Sequence, residues 1–116
     1  MPTLVIQTNV PSDRIKESDT LRALSKAVSA SVGKPEQWVM CSLHTGKSMI
    51  YGGSEEACAF GYLMSIGSIG GDKNKKISAA ICEVLTAKLG IPAARVYIEF
   101  SDAKASDVGW NGATFA

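Results

Sequence analysis

The chain is short of the residues that build metal and redox centres. Its 116 residues hold one histidine, His44, and three cysteines, Cys41, Cys58 and Cys82. The cysteines form neither a CxxC pair nor a metal-ligand spacing, and a lone imidazole cannot hold an ion by itself. No metal is expected. A leader is not expected either. The first basic residue is Arg14, and Asn9, Ser12 and Asp13 interrupt the opening apolar run, so no secretory signal is expected. With an odd cysteine count, reduced thiols in a cytoplasmic setting follow. The longest uncharged run, Ala57 to Gly71, covers fifteen residues. A bilayer helix needs about 20, so no membrane insertion is expected. Net charge is only +1, and the local cluster Lys73, Lys75, Lys76 reads as the solvated face of a helix. A nucleic-acid partner is excluded on that basis. The glycines between Gly67 and Gly71 carry no Gly-Lys-Ser/Thr and no GxGxxG, which argues against a nucleotide cradle.

What is present is an ordinary globular composition, 46 % apolar and 20 % charged. The length suits one domain, 1–116, with one core. Within it lies a repeat. Gly33-Lys34-Pro35-Glu36-Gln37-Trp38-Val39 is echoed 57 positions later by Gly90-Ile91-Pro92-Ala93-Ala94-Arg95-Val96. The same offset pairs Leu24 with Ile81, Ala27 with Val84, Val28 with Leu85 and Val32 with Leu89. Spacings of three and four mark one helix face. The repeats run about 2–52 and 57–102, each reading strand, helix, turn, strand.

In the first repeat, Thr3–Thr8 predicts a strand. Ser18 or Asp19 is expected to cap a helix from about Thr20 to Val32, and Gly33 followed by Pro35 ends it. Trp38–Leu43 is the second strand. In the second repeat, Ala57–Ile66 is the strand and Asp72 or Asn74 caps a helix over Lys76–Leu89. Gly90 ends that helix, Val96–Phe100 is the last strand, and Gly52-Gly53-Ser54 links the halves. Two βαβ units predict an α+β, ferredoxin-like domain with a four-stranded sheet and two helices on one face. Leu4, Ile6, Val39, Met40, Met64 and Ile98 supply more apolar surface than two helices hide, so the other face is expected to associate. Ser48–Tyr51 and the C-terminal stretch are expected as short edge strands that pair across subunits.

These segments resemble the macrophage migration inhibitory factor family, which belongs with the tautomerases. The segments that carry the resemblance are Met1-Pro2, Thr8-Asn9-Val10-Pro11, Gly33-Lys34-Pro35, Tyr51-Gly52-Gly53-Ser54, Ser65-Ile66-Gly67, Arg95-Val96-Tyr97-Ile98, and Val108-Gly109-Trp110-Asn111-Gly112 through Thr114-Phe115-Ala116. Together they span the chain. The resemblance implies a homotrimer whose sheets form a central barrel.

It also implies a chemistry. Loss of Met1 would expose the secondary amine of Pro2, and only a neutral amine acts as a base. An ordinary α-amino group titrates at roughly 7.7–8.0, so burial and a nearby cation must depress it. By resemblance Lys34 supplies that cation and pairs with the carboxylate of an α-keto acid. Ser65 and the backbone N–H of Ile66, at a strand end, join the substrate site. Trp38, Val108 and Phe115 are expected as its apolar walls, with Tyr97 and Glu99 reaching in from a neighbouring chain. Trp110 is expected in the core, outside the site. The implied reaction is a one-base keto–enol shift on phenylpyruvate-type and dopachrome-type substrates, with no cofactor.

Three positions depart from the family pattern. Glu99 stands where asparagine often faces the substrate, Trp38 replaces a usual tyrosine, and Cys58-Ala59-Phe60-Gly61 keeps only the first cysteine of the CxxC of mammalian members. A thiol–disulfide activity is therefore not expected. Besides the enzyme, two other readings stand. One is a cytokine-like protein, secreted without a leader, that uses the pocket as a relic or as a contact for a cell-surface receptor. The other is a ferredoxin-like sensor without chemistry.

Overall fold

Alternation in the first residues builds the central strand. The computed structural model describes residues 1–116, and β1 (Thr3–Thr8) buries Leu4, Ile6 and Thr8 on one side. Helix α1 (Glu17–Val32) presents Thr20, Leu24, Val28 and Val32, one per turn, to that same side. It starts three residues before the expected Thr20. Neither Ser18 nor Asp19 caps it, and Lys16 stands at the cap without a side-chain bond. Asp19 is engaged elsewhere, accepting a hydrogen bond of 2.8 Å from Lys88 of the second helix. That bond and the lysine charge hold the Asp19 carboxyl below the usual carboxylate range. Gly33 ends α1 at φ +77, the left-handed conformation that glycine adopts without steric cost. A 3₁₀ turn over Glu36–Trp38 then takes the place of the expected strand start, and β2 runs Met40–His44.

The second repeat has the same parts. β3 (Ala59–Ser65) leads to α2 (Gly71–Leu89), which buries Ile77, Ile81, Leu85 and Leu89. These are the positions 57 after Thr20, Leu24, Val28 and Val32. The helix begins five residues earlier than the expected Lys76, because Asn74 reaches back and its Oδ1 accepts the Gly70 N–H at 2.7 Å. Gly90 closes it, a 3₁₀ turn follows over Ala93–Arg95, and β4 spans Val96–Asp102.

The four strands form a mixed sheet in the order β2-β1-β3-β4. β1 pairs parallel to β2 and antiparallel to β3, and β3 pairs parallel to β4. Both helices cover one face. The residues expected to overflow onto the other face are mostly not there. Leu4 and Ile6 are fully buried under the helices, and Val39 and Ile98 pack against the same core. The period-two alternation of a strand decides this. The open face instead carries Val5, Phe60, Tyr62 and Tyr97 beside the expected Met40 and Met64, with Met40 and Tyr97 each 64 % exposed.

The expected edge strand over Ser48–Tyr51 is reduced to one bridge, Tyr51 to Ser54, since no second strand of this chain lies alongside. Arg95 pins that segment, donating to the carbonyls of Tyr51, Ser54, Glu56 and Ala57 and lying 5.0 Å above the Tyr51 ring. The C-terminus forms a hairpin, β5 (Gly109–Trp110) and β6 (Ala113–Thr114), about Asn111 and Gly112. Both turn residues have positive φ, as a two-residue Asn-Gly turn requires. No helix is long and apolar enough to cross a membrane.

Candidate active site

The start of β1 is where the sequence concentrates unusual groups. Pro2 has a fully buried side chain, and its carbonyl accepts the Met40 N–H at 3.0 Å. Proline has no N–H, so the ladder ends at its nitrogen. The register sets Thr3 opposite Met64 of β3. One step further, Pro2 lies opposite Ser65.

Lys34 arrives at the same corner from α1. The left-handed Gly33 turns the chain, and Ser29 fixes the next residue by both its backbone and its hydroxyl. The Lys34 N–H donates to the Ser29 carbonyl at 3.2 Å, and the Ser29 Oγ donates to the Lys34 carbonyl at 2.6 Å. So held, the Lys34 ammonium donates to the carbonyl of Ile66. The bend after β3 is locked from the other side, where the Asp102 Oδ1 accepts the Gly67 N–H at 2.9 Å. Asp102 was not singled out in the sequence, because no local pattern links it to a residue 35 positions earlier.

The electrostatics of the corner disfavour a second cation. The terminal ammonium of Met1 is lowered from its ordinary value, first by partial burial, then by the charge of Lys34 and a hydrogen bond with it. This amine belongs to Met1; the nitrogen of Pro2 is an amide while Met1 is attached. The Cys41 thiol, on β2, is pushed up to about 11 by burial and by Glu36, so it carries no thiolate at neutral pH. The Cys82 thiol is raised too, chiefly by burial.

An aromatic group flanks this corner. Trp38 lies two residues before Met40. Its ring meets Phe115 edge-on at 6.0 Å and Trp110 edge-on at 5.2 Å, while Trp110 stacks on Phe115 at 5.5 Å. Val108 is 8 % exposed, and its carbonyl accepts the Phe115 N–H at 3.2 Å. Trp110 thus departs from its expected place in the core. It is 49 % exposed and belongs to this cluster, because the tight Asn-Gly turn folds β5 and β6 back toward Trp38. That turn is the signal that would have found it.

The fold therefore brings Pro2, Lys34, Ser65 and Ile66 together, with Trp38, Val108 and Phe115 as a second group beside them. Tyr97 and Glu99 are not there. Ser65 lies level with Asp102 in the β3–β4 register. Tyr97 is five residues back along β4, roughly 16 Å at the rise of a strand. It packs against Tyr51 at 5.0 Å and lines an apolar cleft of about 340 Å³ with Met49, Ile50 and Phe60. Glu99 stands exposed on the open face opposite Tyr62, without an ion pair or hydrogen bond.

A family model described as Macrophage migration inhibitory factor (MIF) matches residues 1–116. The chain belongs to the macrophage migration inhibitory factor family. A macrophage migration inhibitory factor homolog of Trichuris trichiura is 44 % identical over 115 residues, covering 99 % of this chain and all of the relative. Among solved structures, the macrophage migration inhibitory factor of Trichinella spiralis superposes with a TM-score of 0.92 at 39 % identity, over 97 % of this chain and 99 % of that one. A homologue from Prochlorococcus marinus gives 0.91 at 37 % identity, over 98 % and 99 %. The mixed four-stranded sheet with two helices on one face is thus the fold of the MIF family. Within this MIF-family chain the position after Phe60 is Gly61. A β-carbon there would meet Ile6 Cδ1 at 3.0 Å and Ile98 Cγ1 at 3.4 Å, so a second cysteine has little room.

Proposed function

We propose that this protein is a keto–enol tautomerase that acts on aromatic α-keto acids as a homotrimer, with Pro2 as its base once Met1 is removed. The observation that carries the reading is the closeness of Lys34 to the chain's amine. Burial and the Lys34 charge already favour the neutral form of that amine. Transferred to Pro2, the same two causes lower the proton affinity of the secondary amine and so favour its neutral, basic form.

The mechanism is a one-base proton shift. Neutral Pro2 removes a proton from the carbon beside the ketone, or from the oxygen of the enol. Lys34 and the Ile66 N–H hold the oxygen-centred negative charge, and the proton returns at the other end. Trp38, Phe115 and Val108 offer an apolar wall for a phenyl ring. Phenylpyruvate fits this pattern, and dopachrome-type compounds, which are quinones and not α-keto acids, are a second kind of substrate open to the same proton shift. Tyr97 and Glu99 would complete the site from a neighbouring subunit, and the open sheet face with its Phe60, Tyr62, Met64 and Tyr97 supplies the surface for that assembly. One carbonyl delocalises the charge, so no cofactor is required.

Conversion of phenylpyruvate enol to keto form tests the reading, using protein whose mass shows Pro2 as the first residue. In Pro2→Gly the rate should fall by about 10²-fold or more, since a placed base contributes about 10²–10⁴-fold. Full activity in an intact trimer of that variant would exclude Pro2 as the base.

A second reading rests on what the relatives are called. Their name, macrophage migration inhibitory factor, denotes an action on cells, and this chain would share it as an extracellular protein that engages a cell-surface receptor. Binding of the purified protein to leukocytes, with Pro2→Gly as comparator, separates a receptor contact from catalysis.

A further inference from the structure

The side chain of Ser65 is fully buried, and its Oγ has no hydrogen-bond partner. A buried hydroxyl left so is costly and calls for an explanation. Its position supplies one. Ser65 lies on the helix side of β3 with Leu63 and Gly61, while Pro2 lies on the helix side of β1 with Leu4 and Ile6. The register makes the two residues direct neighbours, one step beyond Thr3 and Met64. The Ser65 carbonyl accepts from Ala103, on the β4 side, and the Pro2 carbonyl accepts from Met40, on the β2 side. Both backbones therefore bond away from each other. That is the arrangement of a non-hydrogen-bonded antiparallel pair, whose Cα atoms approach to about 4.5 Å and whose side chains come closest.

We propose that Ser65 is a positioning residue for Pro2, its hydroxyl accepting an N–H of the proline nitrogen when that nitrogen carries the proton during turnover. The inference rests on the reading of Pro2 as the base. While Met1 is attached, the Pro2 nitrogen is a tertiary amide with nothing to donate, which is why the hydroxyl stands alone. Removal of Met1 gives the nitrogen one N–H when neutral and two when protonated. A bond from the charged form is the stronger of the two. Ser65 then offsets part of the burden that burial and Lys34 place on the protonated base. The proton can be taken up in one half of the reaction and released in the other. The ionisable groups about this corner are Lys34 at the end of α1, Glu36 in the turn before β2, and Asp102 at the end of β4. Asp102 already accepts from Gly67, and none of the three is moved by the substitution proposed.

The test uses processed, ¹⁵N-proline-labelled protein and Ser65→Ala. Titration of the Pro2 nitrogen by NMR should show its midpoint lower in the variant by up to about one pH unit, tenfold in proton affinity. For phenylpyruvate, kcat should fall several-fold with KM unchanged, and Ser65→Thr, which restores a hydroxyl, should recover both. Identical titrations of wild type and Ser65→Ala would overturn the proposal, as would a raised KM at unchanged kcat, which would make Ser65 a substrate contact. Should Ser65→Ala not fold, Ser65→Thr against Ser65→Val gives the same comparison. The titration needs no turnover, so an inactive wild type would refute the tautomerase reading while the Ser65 result still stands or falls alone.

Discussion

Gly61 shows how little room a single added atom has in the middle of β3. It sits in β3 between Ile6 and Ile98, with a β-carbon's room limited to 3.0 and 3.4 Å. A cysteine would press its sulfur into a core where overpacking costs typically about 1–3 kcal/mol. Gly61→Cys should lower the unfolding free energy by about that amount, read as a lower denaturant midpoint at unchanged slope and fixed protein concentration; an unchanged midpoint would show that Ile6 and Ile98 yield freely. Two of the thiols are poor nucleophiles at neutral pH, and the third is out of reach of solvent. Cys41 is pushed up to about 11, Cys82 is raised, and Cys58 is buried. Lys34 works in the opposite sense at the amine. Together with the larger effect of burial it disfavours the ammonium, so in the fold the amine of Met1 loses its proton below the ordinary α-amino value. Stability from this group is fully present above that ordinary value and is lost as pH falls through the lowered one.

At the scale of elements, most of the fold is legible in the sequence because the repeat writes it twice. Thr20 and Ile77, Leu24 and Ile81, Val28 and Leu85, and Val32 and Leu89 fall at one offset and are buried in matched positions. Gly33 and Gly90 end both helices in the left-handed conformation. The helix starts are less legible. A capping rule pointed to Ser18 or Asp19, but Asp19 is drawn to Lys88 across the helix pair, and that contact is 69 residues distant in sequence. The strand at Trp38 was shortened for a similar reason: Pro35 sets up a 3₁₀ turn that the β-rich residues alone do not announce. Of the site, the Pro2–Lys34–Ile66 corner was reached only through resemblance to a family. Lys34 and Ile66 lie 32 residues apart, and no local pattern joins them. The solitary Ser65 hydroxyl was invisible, since burial without a partner is a property of packing.

At the scale of the whole molecule, the apolar side of the sheet turned away from the helices asks for a partner. Met40, Ile50 and Tyr97 are each more than 60 % exposed, and Ile50 and Tyr97 line one cleft. In the trimer we propose, this surface is covered and Tyr97 meets the Pro2 corner of the next subunit, roughly the length of a strand away from its own. Ile50→Glu should therefore shift the mass in solution from about three times 12.2 kDa toward the single chain, and activity should fall with it. A trimer indifferent to that charge would place the interface elsewhere. The proposed reaction turns on a depressed amine at Pro2, and the pH dependence of phenylpyruvate turnover reads that amine. Processed wild-type protein should gain activity through one ionisation below the usual α-amino range of roughly 7.7–8.0, and Lys34→Ala should move that ionisation upward. A flat profile, or an ionisation at the same pH in both proteins, would mean that Pro2 is not the base that Lys34 tunes.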